Sequence, residues 1–317
     1  MDLGLNDRVY VVTGGSRGLG LAAARELAAD GARVVLASRD GQSVAAAAEK
    51  LGPNAIGVAA DNADPETPGR LIGTAREHFG RFDGVLVSVG GPPPGSGAEN
   101  SDEQWRSAFE SVFLGAVRMA RVAADELDEG GVIGFVLSGS VHEPIPGLAI
   151  SNGLRPGLAG FAKSLSVELG PRGIRVVGLL PARIDTDRVR ELDALSGDAE
   201  AARARNAAAI PLGRYGTPEE FGRAAAFFLS PAASYLTGVM LPVDGGFRRG
   251  FCLMSEENSR ALVSITASRG AASTAAARSR AAASSSAAGT TRLARPVRSA
   301  SSAWTKRPVT QISSARA

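Results

Sequence analysis

Short runs rich in valine, isoleucine and leucine recur along the chain: "RVYVVTGG", "ARVVLASR", "AIGVAADN", "DGVLVSVGG", "GVIGFVLSGS", "IRVVGLLPAR" and "VMLPVDGG". Each is of strand length and ends in turn-forming residues. Between them lie alanine-rich stretches with helical spacing, such as Leu154, Leu158, Phe161, Leu165 and Leu169. Apolar strands alternating with amphipathic helices imply βαβ units and a parallel sheet covered on both faces. The pattern therefore predicts an α/β fold. It places the parallel sheet in a single domain over residues 1–251.

Two segments break the rhythm. Residues 186–210, "TDRVRELDALSGDAEAARARNAAAI", read as helical, Arg/Ala-rich and partly polar, which suits either a lid over a site or a surface excursion. Residues 252–317 are alanine, serine, threonine and arginine with little periodicity. Such a composition does not bury enough apolar surface to offset its ordering entropy, so this low-complexity basic tail reads as disordered. A non-native extension is the other reading of it.

Charge sharpens that boundary. The chain of 317 residues has a formal net charge of +3, but residues 258–317 hold 10 Lys+Arg and no acid, leaving the rest at −7. A basic tail on an acidic body is not a nucleic-acid groove, and no such partner is expected. One cysteine, Cys252, excludes an internal disulfide. The N-terminal "MDLGLNDRVYVV" lacks a cationic leader, and no apolar run approaches the roughly 18 residues of a membrane span. A cytoplasmic protein without membrane contacts is the expectation. One cysteine and two scattered histidines make no metal set.

The first strand runs into "TGGSRGLG", Thr13 to Gly20, and a helix follows. Glycines at such a turn let the backbone approach a pyrophosphate, and the helix N-terminus supplies free N–H groups and a positive dipole. The cradle comprises Gly14, Ser16, Arg17, Gly18, Leu19 and Gly20. The end of the second strand selects the nicotinamide. NAD binders place an acid there, whereas "VVLASRD" presents Ser38 and Arg39, with Arg17 in the glycine loop. Two guanidiniums and a hydroxyl suit a 2′-phosphate, and thus NADP. Asp40 lies one step beyond the selecting position.

"TGGSRGLG" resembles the T-G-x-x-x-G-x-G fingerprint of the short-chain dehydrogenase/reductase family. So do "AADNAD" around Asp61, "LLPARIDTDRV" at 179–189 and the stretch from "IPLGRYGTPEEF" to "VDGG" at 210–246. The likeness covers roughly Leu5 to Phe247 and is nearest to bacterial 3-oxoacyl-carrier-protein-reductase-like members. It implies the family's doubly wound, Rossmann-type, seven-stranded parallel sheet, which agrees with the seven runs. It further implies that Asp61 and Asn62 flank the adenine, that Gly90 lies on the cofactor, and that Ile184 and Thr186, after Pro181, hold the nicotinamide carboxamide. It also implies a small-molecule substrate and a homodimer or homotetramer built on the two long central helices.

The same family works with an Asn, a Ser, and a Tyr and Lys spaced Y-x-x-x-K. Counting back from "GFAKSLSVEL" puts Ser151 at the tyrosine position and Arg155 at the lysine position, with Ser138 thirteen residues before Ser151. Val112 stands where the Asn belongs, and "SVGG" at 88–91 replaces the usual "NNAG". Gly153 and Pro156 predict that this helix starts late, near Arg155, with Ser151 or Asn152 as its cap.

Ser138 and Ser151 are the candidate donors to a developing oxyanion, and Arg155 is the candidate for holding the ribose and supplying positive charge. Water or substrate would supply the proton. His142 is a possible substitute acid close after Ser138; His78 reads as surface. Tyr215 reads as structural or as facing the site, and "PPPG" at 92–95 as a rigid loop wall. The function expected is NADPH-dependent reduction of a carbonyl or conjugated double bond in a small molecule. The alternative is a catalytically silent NADP-binding protein, a sensor or structural subunit.

Overall fold

All five residues of β1 (Val9–Thr13) and all four of β4 (Gly84–Val87) are buried, as are four of six in β2 (Arg33–Ser38). A strand buried on both faces must be apolar without alternation, which is how these runs read. In the computed structural model, which describes residues 1–248, they form one sheet with β3 (Ala55–Ala59), β5 (Val132–Val136), β6 (Arg175–Pro181) and β7 (Val239–Val243). The order is β3-β2-β1-β4-β5-β6-β7, and every pair is parallel. The sheet is thus the doubly wound, seven-stranded one expected. The tail from 252, and the last residues of the proposed 1–251 domain, lie outside the described residues. Among the described residues no helix is long and apolar enough to cross a membrane.

Helices α1 (Gly18–Ala29), α2 (Gly41–Leu51) and α9 (Pro218–Leu229) cover one face, packing Leu27, Val44 and Phe221 on the strands. Helices α3 (Thr67–Phe79), α5 (Gly115–Glu126) and α6 (Ala149–Leu169) cover the other, with Leu71, Met119, Leu158 and Leu165. The chain leaves β1 toward β2 and returns at β4, so the sheet order reverses between β1 and β4. Ligands of open α/β sheets bind beyond the strand C-termini at such a reversal.

Between α4 (Asp102–Ala108) and α5 the helix widens into a π turn, Phe109–Leu114, which carries Val112. Val112 packs with Ala108, Ile150 and Leu154 in a small apolar cluster bordered by Trp105 and Phe113. Single π turns inside helices are uncommon and often mark functional sites.

Helix α6 starts at Ala149, not near Arg155, and Pro156 lies within it. The reason is tertiary. The Ala149 N–H donates to the Gly95 carbonyl at 3.2 Å. Asn152, expected as a cap, instead grips Ile145: its Oδ1 accepts from the Ile145 N–H and its Nδ2 donates to the Ile145 carbonyl, both at 2.9 Å. These ties hold the first turns in spite of the proline. The glycines are packing devices. A Cβ on Gly153 would meet the Trp105 ring at 2.8 Å, and one on Gly157 would meet Phe113 at 2.9 Å. Neither Ser151 nor Asn152 caps the helix; Leu148 precedes it with no side-chain cap bond.

Candidate active site at the strand C-termini

Thr13 and Ser88 close the sheet at its reversal point. The Thr13 hydroxyl donates to the Ser88 carbonyl at 3.0 Å and accepts from the Ser88 N–H at 2.9 Å. Gly14 follows with φ +57, its would-be Cβ 2.3 Å from the Ser88 carbonyl oxygen. Gly20 is equally constrained, since a Cβ there would lie 2.4 Å from the Gly14 carbonyl oxygen. Gly18, at φ +57, is different. The nearest atom to its would-be Cβ is the Thr186 methyl at 4.0 Å, so this glycine faces open space. Gly90 likewise has nothing within 4 Å. Arg17 is the extended residue before α1, and no side chain caps the helix. The N–H groups of Gly18, Leu19 and Gly20, beside the half-buried Ser16, have no acceptor in the preceding turn. An open floor of glycine with free N–H groups and a positive dipole fits a dinucleotide pyrophosphate.

At the end of β2, Arg39 is exposed, as is Arg17, and neither makes an ion pair among the described residues. The Ser38 hydroxyl donates to the Asp40 carbonyl at 3.0 Å. The Asp40 carboxylate is spent on α2: it accepts from the N–H groups of Gln42 and Ser43 and from the Ser43 hydroxyl. These bonds, the Ser43 hydroxyl first, lower its pKa. The acid beside the selecting position thus caps a helix. Asp61 accepts from the Ala63 N–H at 3.0 Å, and the Asn62 carbonyl is pressed against Gly115, where a Cβ would lie at 2.2 Å. The loop after β3 is thereby fixed to the start of α5.

On the other side, Ser138 follows two residues after the end of β5 and caps the short turn Gly139–Val141 by accepting from the Ser140 N–H at 3.1 Å. Ser140 then faces Ser151. Their hydroxyls are 3.3 Å apart, and the Ser140 hydroxyl also reaches the Ser151 carbonyl at 3.5 Å. Both are buried, at 3% and 6% exposure. Ser140, absent from the sequence assignment, is the serine that the fold brings to Ser151. The signal for it was the doubled hydroxyl of "SGS", which counting alone resolved in favour of Ser138.

Arg155 lies one turn further along α6 and is 5% exposed. Its Nη1 donates to the Val136 carbonyl at 2.7 Å and its Nη2 to the Val89 carbonyl at 3.0 Å. It has no carboxylate partner among the described residues. Burial alone pushes its pKa down from 12.5 to about 10, so it stays a cation near neutrality. His142 is half-buried, and burial, then the nearby Arg248 guanidinium, lowers its pKa. The Arg248 Nη1 donates to the Gly139 carbonyl at 3.1 Å. His78 lies in α3, its Nδ1 3.2 Å from the Thr74 carbonyl.

Beyond β6, which Pro181 ends, the chain crosses the site. Ile184 is buried and bridges to Gly216, and Thr186 precedes helix α7 (Asp187–Ala194). Helix α8 (Ala199–Ala208) packs on α7. The 186–210 segment is therefore a helical hairpin, and its pin is Asp193, buried at 4%. Asp193 accepts from Arg183 at 3.0 Å, Asn206 at 3.0 Å and the Tyr215 hydroxyl at 2.9 Å. Burial chiefly holds the Tyr215 phenol above its usual pKa, and Arg203 stacks on its ring at 4.5 Å. Of the two readings open for Tyr215, this is the structural one. Asp193 was invisible in sequence, one of three acids in a short charged helix. On the far side Arg188 donates from Nη2 to the Pro92 carbonyl at 2.7 Å, so the hairpin touches the "PPPG" loop across the cleft. Among the described residues no cluster of His, Cys, Asp or Glu is arranged to hold a metal.

The family model described as Enoyl-(Acyl carrier protein) reductase matches residues 14–248. An L-rhamnose 1-dehydrogenase (NAD(P)(+)) of Azotobacter vinelandii is 36% identical over 252 residues, covering 76% of this chain and 97% of the relative. The 3-oxoacyl-[acyl-carrier-protein] reductase of Escherichia coli is 32% identical over 248 residues, covering 75% and 96%. Among solved structures, the L-sorbose reductase of Gluconobacter frateurii, complexed with NADPH and L-sorbose, superposes with a TM-score of 0.75 at 30% identity. That match covers 79% of this chain and all of the other.

Proposed function

Because the chain belongs to the short-chain dehydrogenase/reductase family and is an oxidoreductase, we propose that it reduces a carbonyl or conjugated double bond of a small molecule with NADPH, without the family's tyrosine acid. The observation that carries this reading is Arg155. It is a buried guanidinium with no counter-charge, on the same face of α6 as Ser151. A protein tolerates an uncompensated buried cation at a cost, and such groups concentrate where a reaction develops negative charge.

The glycine floor of Gly14, Gly18, Gly20 and Gly90, with Ser16, Leu19, Asp61, Asn62, Pro181, Ile184 and Thr186 around it, would hold the dinucleotide. Arg17, Ser38 and Arg39 would take its 2′-phosphate. When bound, the nicotinamide supplies the hydride. The chain's own residues position the acceptor and stabilise its oxygen. Ser151, supported by Ser140, offers a hydroxyl to the developing oxyanion, with Ser138 holding the turn that presents Ser140. Arg155 supplies a fixed positive field in a dry site, where it is worth more than in water. A serine hydroxyl is a poor acid, so the proton comes from water or from the substrate.

Positioning alone contributes about 7–11 kcal/mol, and substrates that delocalise or neutralise their charge need little acid help. Enones, quinones, protonated imines and ketones with an internal hydrogen bond meet that condition. The NADPH-complexed sorbose reductase supports the cofactor, and the NAD(P)-using rhamnose dehydrogenase allows both. A homodimer or homotetramer through α5 and α6 fits the exposed Phe109, stacked on Phe113 at 5.3 Å beside those helices. A cytoplasmic setting fits a chain with one cysteine.

A silent NADP-binding role is the second reading. Arg155 favours it to this extent: it donates to two backbone carbonyls, as a purely structural arginine would. NADPH oxidation followed by absorbance over a panel of ketones, enones and quinones separates the two. Turnover of any class, lost in Ser151→Ala and Arg155→Met together, supports the reductase. NADPH binding with no turnover across the panel supports the silent binder.

A further inference from the structure

The described charges around the cleft are uneven. Arg155 at its floor has no acid partner. Arg188 lies against Gly91 on one rim, with Glu191 the nearest carboxylate to it at 3.7 Å. Arg248, following β7, reaches to the Gly139 carbonyl on the other rim and makes no ion pair among the described residues. The acid nearest it in sequence is Asp244. Its two oxygens accept the N–H groups of Gly246 at 2.9 Å and Arg248 at 3.2 Å, which leaves the guanidinium without it. Glu143 on the same loop is exposed. Arg248 is half-buried and close enough to His142 to lower its pKa.

We propose that Arg248 is the anchor for an anionic group of the substrate, so that the acceptor is an oxo acid or another small molecule carrying a carboxylate near its reducible bond. This rests on the reductase reading and adds the substrate class. One of Arg248's donors is used on Gly139; the rest of its planar fork is unspent. Gly139 sits between Ser138 and Ser140. A carboxylate on that fork would thus be held by the same loop that presents the hydroxyls to the reacting oxygen. Charge-assisted bonds to a partly desolvated guanidinium are strong and directional. The positive charge of Arg155, which no described acid offsets, draws an anion to the same cleft before it docks. A neutral ketone would gain from none of this.

The test uses two matched pairs, acetoacetate with methyl acetoacetate and levulinate with methyl levulinate, on the full chain. Two readouts are taken: NADPH oxidation, and calorimetric titration of each compound into protein saturated with NADP. The expected result is an acid-over-ester preference of at least tenfold in one pair, by kcat/KM and by affinity, that weakens as salt rises. In R248Q, which removes the charge, the ratio falls below about threefold. R248K keeps an intermediate ratio. Equal binding of acid and ester by the wild type, no binding of either, or a preference unchanged in R248Q overturns the anchor. Preferential, Arg248-dependent binding of the acid with no NADPH consumption leaves the anchor standing and overturns the reductase reading.

Discussion

Replacing Arg155 by methionine separates a residue kept for chemistry from one kept for stability. Burial pushes its pKa down from 12.5 to about 10. At about 1.4 kcal/mol per tenfold, holding the charged form inside the fold costs about 3 kcal/mol. Methionine removes that cost with a side chain of similar length and no charge. It also leaves the Val136 and Val89 carbonyls without their donors, at about 1–3 kcal/mol each. The two effects oppose each other. The expected change in stability runs from about 1 kcal/mol gained to about 3 kcal/mol lost, the latter roughly 6–12 °C in Tm for a domain of this size.

Turnover responds differently. Losing a fixed positive charge at the reacting oxygen costs about 10²–10³ in rate, and kcat falls with little change in how much protein is folded. Differential scanning fluorimetry and steady-state kinetics on one accepted substrate measure the two quantities side by side. A loss of well over 12 °C in Tm, with kcat per folded molecule unchanged, would refute the reasoning and make Arg155 a backbone staple.

Other outcomes follow from the same geometry. NADPH should bind at least tenfold more tightly than NADH, about 1.4 kcal/mol, and Arg39→Ala should erase most of that difference; equal titration curves for the wild type would sink the 2′-phosphate assignment. Ser151→Ala and Ser140→Ala should each slow turnover by roughly 10–10³ while NADPH affinity stays level, and unchanged kinetics in both would remove the hydroxyl pair from the site. Tyr215→Phe removes one bond to the buried Asp193 carboxylate, so limited proteolysis within 187–210 should speed up while the bulk Tm drops by a few degrees. His142 is held below its ordinary pKa of 6.5, so its neutral form is the one the fold favours. Its contribution to stability is present above pH 6.5 and is lost as pH falls through the lower folded value. Arg248→Gln should raise that pKa in an imidazole NMR titration, and an unmoved resonance would place the guanidinium elsewhere.

The strands were legible because burial on both faces leaves unbroken apolar runs, and Tyr10 to Val12 or Val85 to Val87 admit no other reading. The glycine cradle was legible because its constraints are local: Gly14 and Gly20 are each held by backbone a few residues away or on the next strand. The start of α6 was not. Gly153 and Pro156 are genuine breaking signals, overridden by bonds from Gly95 and Ile145 that no local pattern announces. The π turn at Phe109–Leu114 has the composition of ordinary helix. Ser140 was missed for a related reason: a fixed spacing cannot say which of two serines the turn after β5 directs inward. Asp193 and Arg248 act through partners distant in sequence or on separate elements, so their pairings exist only in the fold.

The apolar cluster of Ala108, Val112, Ile150 and Leu154 bears on how freely the residues around the π turn can be exchanged. Asparagine at 112 would set an amide among aliphatic side chains with nothing to bond, at about 1–3 kcal/mol. A side chain at 153 would strike Trp105. An amide at 112 or a side chain at 153 would therefore each need its neighbours to be changed with it. The packing around this turn works as a ratchet: rebuilding it around a polar side chain requires several coordinated replacements at once.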